Sequence, residues 1–288
     1  MRMKKMKYYL LFALSALISL SACGKDNNEL DFEVPPHKTN TQKEEGAIRI
    51  MAYNVLRFVY DENDPYNYQT IANMVNEKEV DAVCVNELDS FTTRSNRDYQ
   101  LEMFANSLGD WDFKYGTAMP YAGGSYGEGI ATKEKAVKKY AVSLPKGVGA
   151  EPRVMVVMEM DDYVIATTHL DHVSAEAQIG QVETINEVIE KEYKFSDKPV
   201  FLAGDLNAYP DSETIAYLKE EWILLSTTQP TFPSHNPNRC IDYIFQYNNG
   251  VKCEVTHTEV IRFLRSGNPA TASDHLPVIV DVKIIGRE

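Results

Sequence analysis

The chain is 288 residues long and 44% hydrophobic, enough to bury one sizeable core, and no shift in composition inside the body calls for a second domain. Its formal charge of −13 at pH 7 argues against a dedicated nucleic-acid binder, because a sequence-independent grip on a polyanion relies on Lys and Arg displacing counterions. It leaves room for a local positive pocket or a bound metal.

At the N-terminus, Arg2, Lys4, Lys5 and Lys7 precede an apolar run from Tyr8 to Leu20 that ends in the small residues Ser21 and Ala22. This is the pattern of a secretory signal peptide, too short and too one-sided for a good membrane span. Leu20, Ser21, Ala22 and Cys23 resemble the bacterial lipobox, in which the cysteine becomes the lipidated first residue of the mature protein. The expected organisation is a signal peptide over 1–22, a lipidated Cys23, a polar tether over 23–46 that includes Pro35 and Pro36, and one folded domain over 47–288. The expected location is extracytoplasmic, with the protein held to a membrane as a lipoprotein.

Strand-like runs follow at Ile48 to Val55, Ala82 to Val85, Arg153 to Met160, Val164 to Thr168 and Val200 to Ala203, then at Ile241 to Phe245, Cys253 to Phe263 and Val278 to Ile284. Between Ala175 and Lys191 the residues Ile179, Val182, Ile185, Val188 and Ile189 share one helical face. Strands interleaved with a few helices indicate α/β or α+β, and short turns at Tyr163 and Asn248 predict antiparallel hairpins. Cys84 reads as a small core residue. Cys240 and Cys253 flank the second expected hairpin, which turns at Asn248, Asn249 and Gly250. With Gln246 paired to Val251, Cys253 faces Ile244 and Cys240 lies well down the strand, so no structural disulfide is expected.

Polar and acidic residues recur at the ends of these apolar runs: Asn54, Glu87, His169, Asp205 with Asn207, Asp242, and Asp274 with His275. A strand end is rigid, so side chains placed there converge with little entropy left to lose. Singly, each is no more than a solvated strand end or turn cap. Together they supply oxygen ligands for a hard cation, two imidazoles to move protons and carboxylates to orient them.

The stretches MAYNV, DAVCVNEL, YGEG, THLDH, GDLNAYPDS, IDYIF and SDHLPV resemble, in order, the signature blocks of the endonuclease/exonuclease/phosphatase superfamily, which holds DNase I, base-excision endonucleases, neutral sphingomyelinases and inositol phosphatases. The resemblance implies a four-layer α/β sandwich, two packed mixed sheets with flanking helices and an active site at one end of the sheets. It also implies roles. Glu87 is the principal metal carboxylate, Asn54 lies beside phosphate and cation, and Asp274 is a further, indirect metal contact. Asp205 and Asn207 position the attacking water and the phosphate, Asp242 and His275 form a carboxylate and imidazole dyad, and His169 is the second imidazole. Glu128 stands where DNase I-like members carry an acid that orients that histidine and many relatives carry asparagine. Arg153 lies near a phosphate-contacting arginine of relatives, with a surface ion pair as the alternative, and Arg94 is a further candidate for substrate contact.

His37, His235 and His257 lack such a context and are expected to be solvated. His172 and His169 lie on a strand exit, where their spacing does not suit a metal pair. Leu56 occupies the position where base-excision members often place an acid, and Tyr243 the position where inositol 5-phosphatases carry arginine, so both subclasses are disfavoured.

The resulting expectation is a monomeric hydrolase that uses Mg2+ or Mn2+ to cleave a small or lipid-derived phosphoester by in-line water attack. An exported nuclease of the DNase I type is the rival among enzymes, disfavoured by the acidic charge and the lack of an obvious basic groove. A catalytically silent binding module of the same fold is the rival from another class, disfavoured because Glu87, Asp205 and His275 are all present.

Overall fold

A computed structural model describes residues 42–59, 66–147 and 151–287. The signal peptide, Cys23 and His37 lie outside the described residues. Residues 43 and 44 are already tied to the domain, Lys43 through Asp81 at 2.7 Å and Glu44 through Lys283 at 2.6 Å.

Twelve strands are described: β1 (Ile48–Asn54), β2 (Ala82–Ser90), β3 (Asp112–Tyr121), β4 (Gly124–Thr132), β5 (Lys138–Leu144), β6 (Arg153–Glu159), β7 (Val164–Thr168), β8 (Val200–Asp205), β9 (Trp222–Leu224), β10 (Asp242–Tyr247), β11 (Val251–Val260) and β12 (Val278–Arg287). The helices are α1 (Tyr68–Glu77), α2 (Gln100–Leu108), α3 (Ala175–Tyr193), α4 (Glu213–Leu218) and α5 (Pro269–Ala272). The strands form two six-stranded sheets, ordered β11-β12-β1-β2-β4-β3 and β5-β6-β7-β8-β10-β9. The β1/β2 and β7/β8 pairs are parallel and their neighbours antiparallel, so both sheets are mixed.

The side-chain period of two explains the layering. From β1, Ile50 and Ala52 join Phe201 and Ala203 of β8 and Ile244 of β10 in the core between the sheets. Met51 and Tyr53 point the other way and pack with Ile71, Met74 and Val75 of α1 and Leu101 and Phe104 of α2. On the far side, Val200 and Leu202 of β8 pack against Val182, Ile185 and Ile189 of α3 and Ile215 of α4. Helices, sheet, sheet and helices make the four-layer sandwich that the sequence led us to expect. The Ser174 hydroxyl caps α3 by accepting the Ala177 amide.

One expected hairpin is absent. The turn at Asn248 to Gly250 carries the chain from one sheet to the other: β10 pairs with β8 and β9, whereas β11 pairs with β12. Gln246 does meet Val251, but through its side-chain amide, which donates to the Val251 carbonyl at 2.7 Å. Cys253 therefore pairs with Ile284, not Ile244, and Cys84, Cys240 and Cys253 are all free thiols. The hairpin at Tyr163 forms as expected between β6 and β7.

This topology brings distant residues to one end of the sandwich. The parallel strands β1 and β2 end at the same side, as do β7 and β8. β10 and β12 start there, since Asp242 pairs with Asp205 and Val278 pairs with Ala52.

Candidate active site

Asp205, the last residue of β8, is the hub of this end. Its Oδ2 lies 3.1 Å from Asn54 Nδ2, 3.4 Å from His169 Nε2 and 3.6 Å from His275 Nε2. The backbone beneath it is specified by Gly204, at φ +149, where an added Cβ would come within 2.1 Å of the Thr168 carbonyl. No side chain fits between β7 and β8 at that point.

Glu87 reaches the site through a β-bulge. The β2/β4 register slips by one residue between Val85 and Leu88, and Glu87 adopts φ 60, a conformation unusual for a non-glycine residue. Its Oε1 accepts from Asn54 Nδ2 at 3.0 Å, so Asn54 bridges two carboxylates, while the Asn54 oxygen accepts the Leu56 amide at 3.1 Å. Ser273 fixes the end of β1 by donating to the Asn54 carbonyl at 2.7 Å.

The two imidazoles are held in different protonation states. His275 donates from Nδ1 to Asp242 Oδ2 at 2.9 Å, and Thr231 donates to the same oxygen. Burial alone would lower the His275 pKa, but Asp242 and Asp205 outweigh it and raise it to about 10, so the ring is charged. His169 is held well below the usual imidazole range by burial, with Arg153, His275 and His172 adding repulsion. Asn207 Nδ2 donates to His169 Nε2 at 2.8 Å and to the Leu170 carbonyl at 3.1 Å, which leaves the proton of the neutral ring on Nδ1. That nitrogen faces Glu128 Oε1 at 4.0 Å, and neither atom has another partner. Burial pushes the carboxyls of Glu128 and Asp205 up to about 7 and also raises that of Glu87.

A cleft of about 510 Å³ opens over these groups, bordered by Glu87, Tyr126, His169, Asp205, Asn207 and His275. Asp274 and Arg153 also border it. Asp274 is close enough to Glu87 for its charge to oppose ionisation there. Arg153 is 2% exposed, with Nη2 at 3.3 Å from His172 Nδ1 and 3.4 Å from Glu151, and with Nε and Nη1 unpartnered. The guanidinium is thus a buried charge on the cleft wall whose ion pair with Glu151 is long. Arg94 pairs with buried Asp89 beside this cleft, and His257 is half-buried and bonded to Glu259 at 3.1 Å, not solvated. His235 is exposed.

Several contributors lie outside the site residues expected from the sequence. Asn86 donates to Glu128 at 2.9 Å and accepts the Asp205 amide at 2.9 Å. Tyr243 donates to the carbonyls of Ala208 and Cys240, pinning the loop that carries Asn207. The Phe232 ring covers His275 at 4.7 Å between centroids. Asn86 and Tyr243 have a signal, their places beside Glu87 in DAVCVNEL and beside Asp242 in IDYIF.

The donor chemistry fits a hard divalent cation. Glu87, Asp205, Asp242 and Asp274 concentrate carboxylates at one cleft, and among the described residues their ion pairs are with imidazoles alone. Asp205, Asp242 and His275 present potential ligand atoms within 4.8 Å of one another. In that trio a charged His275 already occupies the space between the carboxylates, so Glu87 and Asp274 are the oxygens left for a cation.

The sequence matches the profile of the Endonuclease/Exonuclease/phosphatase family over residues 51–275. The chain belongs to that family of phosphoester hydrolases. Among solved structures it resembles a mannosyl-6-phosphatase of Bacteroides thetaiotaomicron, at 20% identity and a TM-score of 0.65, covering 82% of this chain and 99% of that one. An endonuclease/exonuclease/phosphatase from Bacteroides vulgatus is similar at 18% identity and a TM-score of 0.66, covering 83% and 99%. The catalytic domain of human Nocturnin, with bound sulfate, is similar at 16% identity and a TM-score of 0.62, covering 83% and 94%. These likenesses concern the fold. No curated protein sequence matched the chain.

Proposed function

We propose that the protein is an extracytoplasmic, lipid-anchored phosphoesterase that uses Mg2+ or Mn2+ to hydrolyse a small or lipid-derived phosphoester, and that it works as a monomer. The observation that carries the chemistry is the convergence on Asp205 of Asn54, His169 and His275. The lipobox at Cys23 and the polar stretch behind it support the anchoring.

Glu87 and Asp274 would hold the cation, with Asn54 ordering Glu87 from the side. When bound, the cation offsets negative charge on the phosphate oxygens. The Asp205 carboxylate, whose Oδ2 lies among Asn54, His169 and His275 and whose pKa burial raises, accepts a proton from the attacking water. His275, kept charged by Asp242, donates from Nε2 to an oxygen of the phosphoryl group. Asn207 places a side-chain amide at the opposite wall, where His169, fixed through Asn207 and Glu128, lies against the leaving side. Arg153 places its buried guanidinium charge at the cleft wall, where it attracts a further phosphate oxygen. The phosphatase named among the similar structures supports small phosphoesters over nucleic acid, as does the formal charge of −13.

The test is a panel of phosphomonoesters and phosphodiesters, single-stranded and duplex DNA included, assayed with Mg2+, Mn2+ and excess EDTA. Turnover of small phosphoesters that EDTA abolishes is the expected result. Activity confined to DNA would replace this reading with that of an exported nuclease.

A further inference from the structure

A second cavity, of about 270 Å³, opens beside the catalytic cleft and shares Glu87, Tyr126 and Glu151 with it. Its remaining walls are Arg57, Arg94, Met119 and Tyr121, none of which has a place in the chemistry described above.

Arg94 is held rigidly. Its Nε and Nη2 donate to Asp89 at 2.7 and 2.8 Å, and Asp89 is a fully buried carboxylate also bound by Thr92 and Ser95. The guanidinium lies flat enough to sit 4.1 Å from the Tyr121 ring centroid and 5.6 Å from that of Tyr126. This arrangement occupies the aromatic face, so the cavity offers a ligand the remaining guanidinium N–H groups and not a ring to stack on.

Arg57 adds a charge without an ion partner among the described residues. It sits in three consecutive left-handed residues, Leu56 at φ 44, Arg57 at φ 60 and Phe58 at φ 58. Its carbonyl accepts from Gln100 at 2.7 Å, and Phe58 is buried 4.7 Å from Tyr68 and 5.1 Å from Phe104 between ring centroids. A backbone of this kind costs stability and persists only where its surroundings over-determine it. The other charges have roles already: Glu151 pairs with Arg153 at 3.4 Å, and Glu87, which accepts from Asn54, is the carboxylate assigned to the cation.

We propose that this cavity binds a second anionic group of the substrate through Arg57 and Arg94, so that the preferred substrate is a small phosphoester carrying a further phosphate or a carboxylate. This assignment of substrate class rests on the phosphoesterase reading. Charged hydrogen bonds are the stronger kind, and losing one here lowers affinity by about tenfold or more.

The full-length protein, with Mg2+, is assayed on 4-nitrophenyl phosphate and bis(4-nitrophenyl) phosphate in competition with glucose 6-phosphate, glucose 1,6-bisphosphate and 6-phosphogluconate. The expected result is that the bisphosphate, the phosphogluconate or both inhibit at least about tenfold more tightly than glucose 6-phosphate, and that Arg57→Gln removes most of that advantage. Which of the two gains distinguishes phosphate from carboxylate. Equal inhibition by all three, or an advantage kept in Arg57→Gln, overturns the proposal. Should Arg57→Gln fail to fold, Arg94→Lys, which keeps a cation beside Asp89 but loses the planar fork, is read the same way. If neither reporter is hydrolysed, the phosphoesterase reading falls, and calorimetric titration of the same three ligands still decides the subsite.

Discussion

The side-chain oxygen of Asn86 accepts the main-chain N–H of Asp205 at 2.9 Å, a bond that joins the two sheets directly beneath the catalytic cleft. The same amide donates to Glu128 and to the Thr168 carbonyl, so one buried side chain sets the positions of Asp205, Glu128 and the strand leading to His169. Replacing it with alanine leaves buried partners unsatisfied. Asn86→Ala is expected to cost about 1–3 kcal/mol of stability and to lower turnover, read from melting temperature and kcat on one preparation. Normal values of both would show that this bond organises nothing.

Glu87→Gln removes the carboxylate assigned to the cation while keeping its shape and its bond to Asn54. It is expected to weaken Mg2+ or Mn2+ affinity by calorimetry, with the fold retained. Unchanged affinity would move the cation elsewhere in the cleft.

The buried carboxyl of Glu128 gives a pH signature. Its folded pKa, about 7, lies above the ordinary carboxylate value, so the folded state binds the proton more tightly than the unfolded chain. Its contribution to stability is greatest below the ordinary carboxylate pKa and is lost as pH rises toward 7, by an amount on the order of 3 kcal/mol. In EDTA, the wild type should lose stability relative to Glu128→Gln between about pH 4.5 and 7. Parallel curves would remove the assignment. Glu128→Gln should also lower turnover, because an amide nitrogen facing His169 Nδ1–H opposes the tautomer that Asn207 selects.

What was legible in the sequence followed from local pattern. Strong apolar runs lead to Asn54, Glu87, Thr168 and Asp205, and the polar residues that close them announced the site. β3 and β4 were not legible, because Asp112–Tyr121 carries glycine and proline at a sheet edge and Gly124–Thr132 is glycine-rich where it packs against β2. The false hairpin at Asn248 has the same origin, since a turn signal between two apolar runs does not say whether the second run joins the same sheet. The role of Asn86 exists only once the two sheets are stacked. Thr231 and Phe232 lie in a loop without periodicity, and only the fold brings Thr231 to Asp242 and Phe232 to His275.

Membrane attachment is tested separately. Cys23→Ala should shift the protein from the membrane fraction to the soluble one, or leave it unprocessed, with activity per folded molecule unchanged. Membrane association that survives the substitution would exclude the lipid anchor.

The most direct test of the catalytic account is the turnover rate of Asp205→Asn, with its melting temperature, beside His275→Ala and the double variant. With Mg2+ and a phosphoester that the wild type cleaves, each single variant should stay folded and lose on the order of 10²–10⁴ in rate. The double variant should lose far less than the product of the two, as expected of groups serving one transition state. A folded Asp205→Asn protein with near-normal turnover would contradict the account, because it would make the residue that Asn54, His169 and His275 surround a structural strand end and nothing more.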